Sequence, residues 1–462
     1  MKNLHNSFLF SISLLALLTS CSDNEEIYEP IATNEERLYA GGNSTIFLTS
    51  SNAFSTPAPD LAGTELENHL GGDFHFESAF VTAPAEVNGG IGPIFNNTSC
   101  VSCHPRDGRA RFPSDINGLS GFFLRTSVPG TDEFGGPLPV PGFGLQIQNQ
   151  SIFGYEAEAK IELTYSPIVE QFADGTKVTL QKPIYKVIDA YIPLPANTMF
   201  SPRLASPVFG LGLIEAVPES AILANQDIAD SDGDGISGKA NYVYDVETDQ
   251  IQIGRFGWKA NTTTVLEQCA AAYNGDMGIT SYFFPTETGF GQTNGDDGLG
   301  DDPEITNDII DQVVFYCKTL GVPAPRSLDK TEVINGEKLF TQIECAKCHI
   351  PKMETGTSEV AILLNQTIFP YTDLLLHDMG AELADNRPDF LADGNEWKTR
   401  PLWGIGLTQV VNGHNNFLHD GRAKSITEAI LWHGGEAEAS KNKFKQLEAS
   451  DRADLLEFIN SL

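Results

Sequence analysis

Cys100-Val101-Ser102-Cys103-His104 and Cys345-Ala346-Lys347-Cys348-His349 are two copies of one pattern, Cys-x-x-Cys-His, about 245 residues apart. The spacing sets two thiols about one helical turn apart and puts an imidazole directly after the second. Covalent haem c uses this arrangement: the thiols form thioethers to the porphyrin edge and the imidazole reaches the iron. A zinc or redox site also uses Cys-x-x-Cys. However, neither run has a second Cys pair nearby, and zinc would leave the trailing His without a role. The sequence therefore predicts two covalently bound haem c groups. Cys100, Cys103, Cys345 and Cys348 are the attachment points, and His104 and His349 the proximal iron ligands.

Outward from the second motif, the pattern of a c-type cytochrome continues. Asp329-Lys330-Thr331-Glu332 has acidic residues spaced like a capping box, opening a helix with Val333, Gly336, Leu339, Phe340 and Ile343 at helical intervals. Ser450 is placed to cap a closing helix that buries Leu455, Leu456, Phe458, Ile459 and Leu462. In c-type cytochromes the first and last helices cross beside the haem, and Gly336 would allow that approach. The first motif is reached instead through the turn-rich Gly90-Ile91-Gly92-Pro93-Ile94-Phe95. Alternation at 161–165, the Asp174-Gly175 pair and the apolar runs at 178–180 and 184–188 predict a hairpin. The expected fold is mainly α, with two c-type cytochrome domains at 61–325 and 326–462, the first carrying a small β-rich insertion at about 112–200. The boundary falls at Gly321-Val322-Pro323-Ala324-Pro325, where two prolines break the preceding helix.

Lys2 precedes an apolar run, Phe8 to Leu18, too short to span a bilayer and ending in Leu18-Thr19-Ser20-Cys21. This reads as a bacterial lipoprotein signal peptide over 1–20, whose removal leaves Cys21 to carry acyl chains, followed by a polar tether over 21–60. The expected location is the cell envelope: a lipoprotein of the outer membrane, facing the periplasm or displayed on the surface, with lipid as its only membrane contact. With 29 basic against 62 acidic residues and a net charge of -33, the chain is not a nucleic-acid binder, since phosphate contacts need Lys and Arg. An acidic face suits a basic electron donor, such as a small cytochrome. Of the seven cysteines, Cys269 and Cys317 are left over, as a disulfide or as two buried thiols.

The iron's sixth position decides what each haem does: a second strong ligand makes an electron carrier, and an open position admits a small molecule. For the second haem the first candidate is His433, which ends the helix-like Ser425 to Trp432 before Gly434-Gly435, and Met379 is the runner-up. For the first haem no histidine occurs between His104 and His349, which leaves His69, His75, Met199 or Met277, or an open position. Peroxide chemistry at an open iron needs an acid-base group and an amide, for which Asp276 and Gln268 are candidates. Separately, Asp230-Ser231-Asp232-Gly233-Asp234-Gly235-Ile236 alternates oxygen ligands with Gly at the sharp turn, as a calcium loop does. Its ligands would be Asp230, Asp232, Asp234 and Ile236, but Asn241 stands where a bidentate Glu belongs, which weakens binding. Asn294 to Asp302, acidic and Gly-rich with poorer spacing, reads as a loop.

Several stretches together resemble one family: Phe256-Gly257-Trp258-Lys259-Ala260-Asn261, Gln268, Asn274-Gly275-Asp276-Met277-Gly278, Leu376-His377-Asp378-Met379-Gly380, Pro401-Leu402-Trp403-Gly404-Ile405-Gly406 and Phe417-Leu418-His419-Asp420-Gly421-Arg422. They resemble the di-haem oxidoreductases, once labelled thiol oxidoreductases and related to bacterial di-haem cytochrome c peroxidases. The resemblance covers nearly the whole mature chain. It implies that Trp258 bridges electrons between the haems and that Gln268 and Asp276 serve the peroxide pocket, although the relatives have Glu where this chain has Asp276. It puts His433 where the relatives have Met, implying a His/His second haem of lower potential, and makes His419 a pocket or structural residue. The relatives' blocking histidine after the first motif is missing here, which implies a first haem that binds ligands without reductive activation. The expected function is reduction of a small oxidant, hydrogen peroxide, at the N-terminal haem with electrons relayed from the C-terminal haem. The alternative is a non-catalytic di-haem electron-transfer cytochrome. Thiol oxidation finds no support, because no Cys-x-x-Cys pair remains after haem attachment.

Overall fold

Gly336 sets the packing around the second motif. It lies where the Thr331–Gln342 helix crosses the Ala449–Ser461 helix, and a Cβ there would stand 2.0 Å from the Asp454 carbonyl oxygen and 2.6 Å from Phe458 Cβ. The crossing buries Val333 and Phe340 from one helix against Leu455, Phe458 and Ile459 from the other, with the Phe340 and Phe458 rings edge to face at 5.3 Å. The caps differ from expectation. The leading helix starts after Lys330 with no side-chain cap, and the closing helix starts after Glu448, which puts Ser450 inside its first turn. Apolar burial, not capping, fixes both starts.

The first motif is a single helical turn, Cys100–Cys103, capped by Ser99, whose Oγ accepts from the Ser102 N–H. Three longer helices wall this region: Thr64–Glu77, Val265–Met277 and Asn307–Thr319. The first and third approach so closely at Gly72 that a Cβ would meet the Gln312 carbonyl oxygen at 2.0 Å. Cys269 and Cys317, on the second and third, lie side by side and are not bonded to each other.

The insertion is built on two antiparallel pairings. Phe122–Thr131 runs against Met199–Leu204, with Phe122 opposite Leu204, and Lys160–Gln171 runs against Lys177–Ile188 along its full length, Lys160 opposite Ile188. Asp174-Gly175 forms the turn of that hairpin, with the Asp174 carboxylate accepting from the Thr176 N–H. The hairpin tip docks beside the second motif. Phe172 meets Phe444 edge to face at 5.7 Å, Leu180 is buried, and Asp174 pairs with Arg452. One hydrophobic core thus joins Phe172 and Leu180 to Phe340, Phe444 and Phe458, and a second runs from Ala40 to Val411 around the first motif. Both cross the 325/326 boundary.

The structure, a computed structural model, describes Pro30, residues 32–289 and residues 291–462. The expected signal peptide and the expected lipidation site Cys21 lie outside the described residues. Two expectations need correction. The fold is not mainly α: among the described residues it is 29% helix and 19% strand, with several small sheets. Beyond the insertion, short ladders such as Thr45–Ile46 with Val322–Pro323 and Leu376–Asp378 with Glu396–Lys398 are too brief to show a period of two, while 43 glycines and 26 prolines keep the helices short. Nor are residues 34–60 a free tether. Thr33 caps the Asn34–Leu38 helix in a capping box, the buried Arg37 pairs with Glu337, and Phe54 is 1% exposed. Among the described residues no helix is long and apolar enough to cross a membrane.

Gly336→Ala is expected to force the two crossing helices apart and lower stability by about 1–3 kcal/mol, the cost of overpacking a close contact. Urea denaturation measures it, and an unchanged midpoint would contradict the close crossing.

Candidate functional site

Both motif imidazoles are held the same way. His104 Nδ1 lies 2.7 Å from the Ser206 carbonyl oxygen, and His349 Nδ1 lies 3.1 Å from that of Tyr371. A ring that donates from Nδ1 to a carbonyl keeps its Nε2 lone pair free, which is how a metal-bound imidazole is oriented. Burial pushes the pKa of each down to about 4, so both rings are neutral at physiological pH. Each lines a cavity together with the two cysteines of its own motif.

The first cavity, about 380 Å³, is walled by Cys100, Cys103 and His104 and, across from the motif, by the Val265–Met277 helix. That helix brings Gln268, Asp276 and Met277 to the wall, and Trp258 joins them. Thr264 sets its start, accepting from the Glu267 N–H, and Gly278 closes it in the left-handed conformation. Burial raises the Asp276 carboxyl pKa above its ordinary value, opposed by Arg125 and by a hydrogen bond from Gln146 Nε2 at 2.9 Å. Gln268 accepts from Thr262 Oγ1 at 2.9 Å. Of the four candidates for a sixth ligand here, Met277 alone lines the cavity. His69 is instead bonded through Nδ1 to Thr319 Oγ1 at 2.8 Å, and His75 and Met199 lie elsewhere, on the Thr64–Glu77 helix and the Met199–Leu204 strand.

The second cavity, about 200 Å³, contains Cys345, Cys348, His349, His433 and Met379 in its wall. Ser425 caps the Ile426–Trp432 helix and His433 ends it. His433 Nδ1 lies 2.7 Å from the Ala429 carbonyl oxygen, so it repeats the geometry of the motif imidazoles and presents Nε2. His377 does not. Both of its ring nitrogens are engaged, Nε2 with Asp373 at 2.7 Å and Nδ1 with Glu436 at 2.6 Å. Burial opposes its protonation, but hydrogen bonds with Asp373, Cys348 and Glu436 outweigh that and hold its pKa well above the ordinary value. His419 stacks on Trp397 at 3.9 Å and meets Trp258 edge to face at 6.5 Å.

Trp258 lines both cavities, and its indole N–H is fixed to the Leu204 carbonyl oxygen at 2.9 Å. Arg400 also reaches both. The sequence reading missed Gln146 and Arg400. Arg400 directly precedes the Pro401-Leu402-Trp403 motif, but nothing in a lone arginine signals where it points.

In the acidic loop, Asp230, Asp232 and Asp234 bring carboxylate oxygens within 4.8 Å of one another. Lys347 of the second motif takes up Asp234 at 2.7 Å. Ser237, at the loop's end, donates through Oγ to Glu436 at 2.6 Å, tying the loop to His377. Asn241, the twelfth position, is committed to the backbone, donating to Lys259 and Asp389 carbonyls and accepting from the Leu391 N–H.

A protein that offers a neutral imidazole to each of two thiol-bearing cavities is organised to hold two metalloporphyrins. The chain belongs to the di-haem oxidoreductase family: the family model described as "Di-haem oxidoreductase, putative peroxidase" matches residues 35–462. No curated protein matches the chain. A solved structure of hydrazine synthase from Kuenenia stuttgartiensis, pressurised with xenon, is similar over 34% of this chain and 55% of its own, at 16% identity and a TM-score of 0.22. The chain thus spans about half the length of that relative, an overlap too shallow to inform the fold.

His377→Gln would leave Asp373 and Glu436 buried together without their shared cation. The expected loss of stability is about 3–5 kcal/mol, as for removal of one partner from a buried ion pair. Chemical denaturation at neutral pH reads it; a loss below about 1 kcal/mol would mean that the imidazole is not charged there.

Proposed function

We propose that the chain is a di-haem c-type oxidoreductase that reduces hydrogen peroxide at the N-terminal haem with electrons relayed from the C-terminal haem. The observation that carries this reading is the shared position of Trp258, in the wall of both cavities, with Asp276 and Gln268 beside His104 in the larger one. Bound haem supplies the iron coordination position and the redox change. Reduction of peroxide to two waters consumes two electrons and two protons, and the chain's own residues handle the protons. Asp276, its pKa raised by burial, keeps a proton to higher pH than an exposed aspartate and is placed to deliver it to the departing oxygen. Gln146, donating at 2.9 Å, positions that carboxyl and so helps the shorter acid stand in for the relatives' Glu. Gln268 steers the oxygen. In the smaller cavity His349 and His433, with both Nδ1 atoms tied to carbonyls, would hold the second haem, which would supply electron transfer there.

Several further assignments belong to this reading. Cys100, Cys103, Cys345 and Cys348 carry the haems as thioethers, within two haem domains. Cys21 holds the protein to an envelope membrane through lipid, and a small basic cytochrome donates electrons to its acidic surface. Asp230, Asp232, Asp234 and the Ile236 carbonyl bind calcium weakly, since Asn241 supplies no ligand and Lys347 competes for Asp234. Met277 favours the alternative reading. It lines the first cavity, and its sulfur on the first iron would make the protein a pure electron carrier.

Rapid mixing of the holoprotein, reduced and oxidised in turn, with hydrogen peroxide separates the two readings. Reaction faster than that of free haem is expected, and Asp276→Asn is expected to slow it about 10²–10⁴-fold, the usual loss on removing a general acid. If neither redox state outpaces free haem, the chain is an electron carrier.

A further inference from the structure

Basic residues are scarce in this chain, 29 against 62 acidic, and the buried ones are mostly paired. Around Trp397, Arg203 pairs with Asp385 and Asp389, Lys259 with Asp385, and Arg387 with Asp389. Arg422 pairs with Asp420. Three cations beside Trp258 break the rule. Arg109 is 9% exposed and Lys398 is 4% exposed, and Arg400 lies partly buried with its remaining surface in the cavities. The Arg109 and Arg400 guanidinium carbons stand 5.5 and 5.1 Å from the Trp258 ring centroid, and the Lys398 N–H donates to the Trp258 carbonyl at 3.0 Å. Among the described residues the hydrogen-bond partners of their charged ends are carbonyl oxygens: Leu418 for Arg109 at 3.4 Å, Gly257 for Arg400 at 3.5 Å and Arg255 for Lys398. Among the described residues no carboxylate lies within ion-pair distance of any of the three.

Like charges gathered in a low-dielectric interior without a counter-ion are unfavourable, so the site is complete only with anions. The cavities say where these come from. Arg400 lines the walls of both, whereas Arg109 and Lys398 line the second and not the first. Each haem brings two propionate carboxylates, and a guanidinium is the side chain best matched to a carboxylate. We propose that Arg109, Lys398 and Arg400 form a receptor for haem propionates, in which Arg400 serves both haems and couples them electrostatically across Trp258. This rests on the two-haem reading above. A cation near an iron favours the reduced state, which carries one positive charge fewer. Arg400 therefore raises both potentials, and Lys398 raises the second alone.

The test is a potentiometric titration of the holoprotein followed by haem absorbance, with haem content counted in each variant. Arg400→Gln is expected to lower both midpoint potentials, each reduction equilibrium weakening about tenfold, or about 59 mV for one electron. Arg400→Lys is expected to keep most of each potential, and Lys398→Met to lower only the second. A two-haem Arg400→Gln protein in which either potential stays put overturns the proposal. So does an unmoved second potential in Lys398→Met, which decides the matter if Arg400→Gln fails to fold. Wild-type protein holding fewer than two haems would instead overturn the two-haem reading, a distinct result.

Discussion

The hydrogen bond from a histidine Nδ1 to a backbone carbonyl is the constraint on which the rest of this structure depends. It occurs at His104 with Ser206, at His349 with Tyr371 and at His433 with Ala429. In each case it fixes the ring plane and leaves the Nε2 lone pair free, so the backbone sets the direction in which the ring would meet a metal. The carbonyls come from different levels of structure. Ala429 lies one turn back on the same helix, Tyr371 is 22 residues beyond its motif, and Ser206 is 102 residues beyond its own. The insertion between the first motif and Ser206 is therefore no ornament, because it returns the chain to the site with the carbonyl that aims His104.

The two sites diverge from that common start. The second cavity, about 200 Å³, receives a second imidazole, His433, from a helix end. The first, about 380 Å³, is lined by Asp276, Gln268 and Met277, with Gln146 bonded to Asp276, and among the described residues it has no imidazole besides His104. Volume and ligand supply both support the proposed division, in which one site passes electrons and the other handles a small molecule. Trp258, fixed at its N–H and flanked by two guanidinium groups, stands at their common wall.

What was legible in the sequence was local. Both Cys-x-x-Cys-His runs, the helix ending at His433, the close approach at Gly336 and the grouping of Trp258, Gln268 and Asp276 could be read because each depends on short spacing or on a quoted motif. What was not legible depends on distant partners. Arg37 finds Glu337 across 300 residues of chain, a contact that the reading of 21–60 as a tether could not foresee. Gln146 reaches Asp276 over a separation of 130 residues, and Arg400 is defined by cavities assembled from the whole chain. The mainly α expectation failed because two- and three-residue ladders leave no periodic trace.

Inequality of the two haem sites is the central claim, and the electron paramagnetic resonance spectrum of the fully oxidised holoprotein tests it most directly. The account predicts one low-spin signal, from an iron between His349 and His433, together with a high-spin signal from the His104 site that shifts when a small anionic ligand such as azide is added. Two low-spin signals, both unmoved by the ligand, would contradict it.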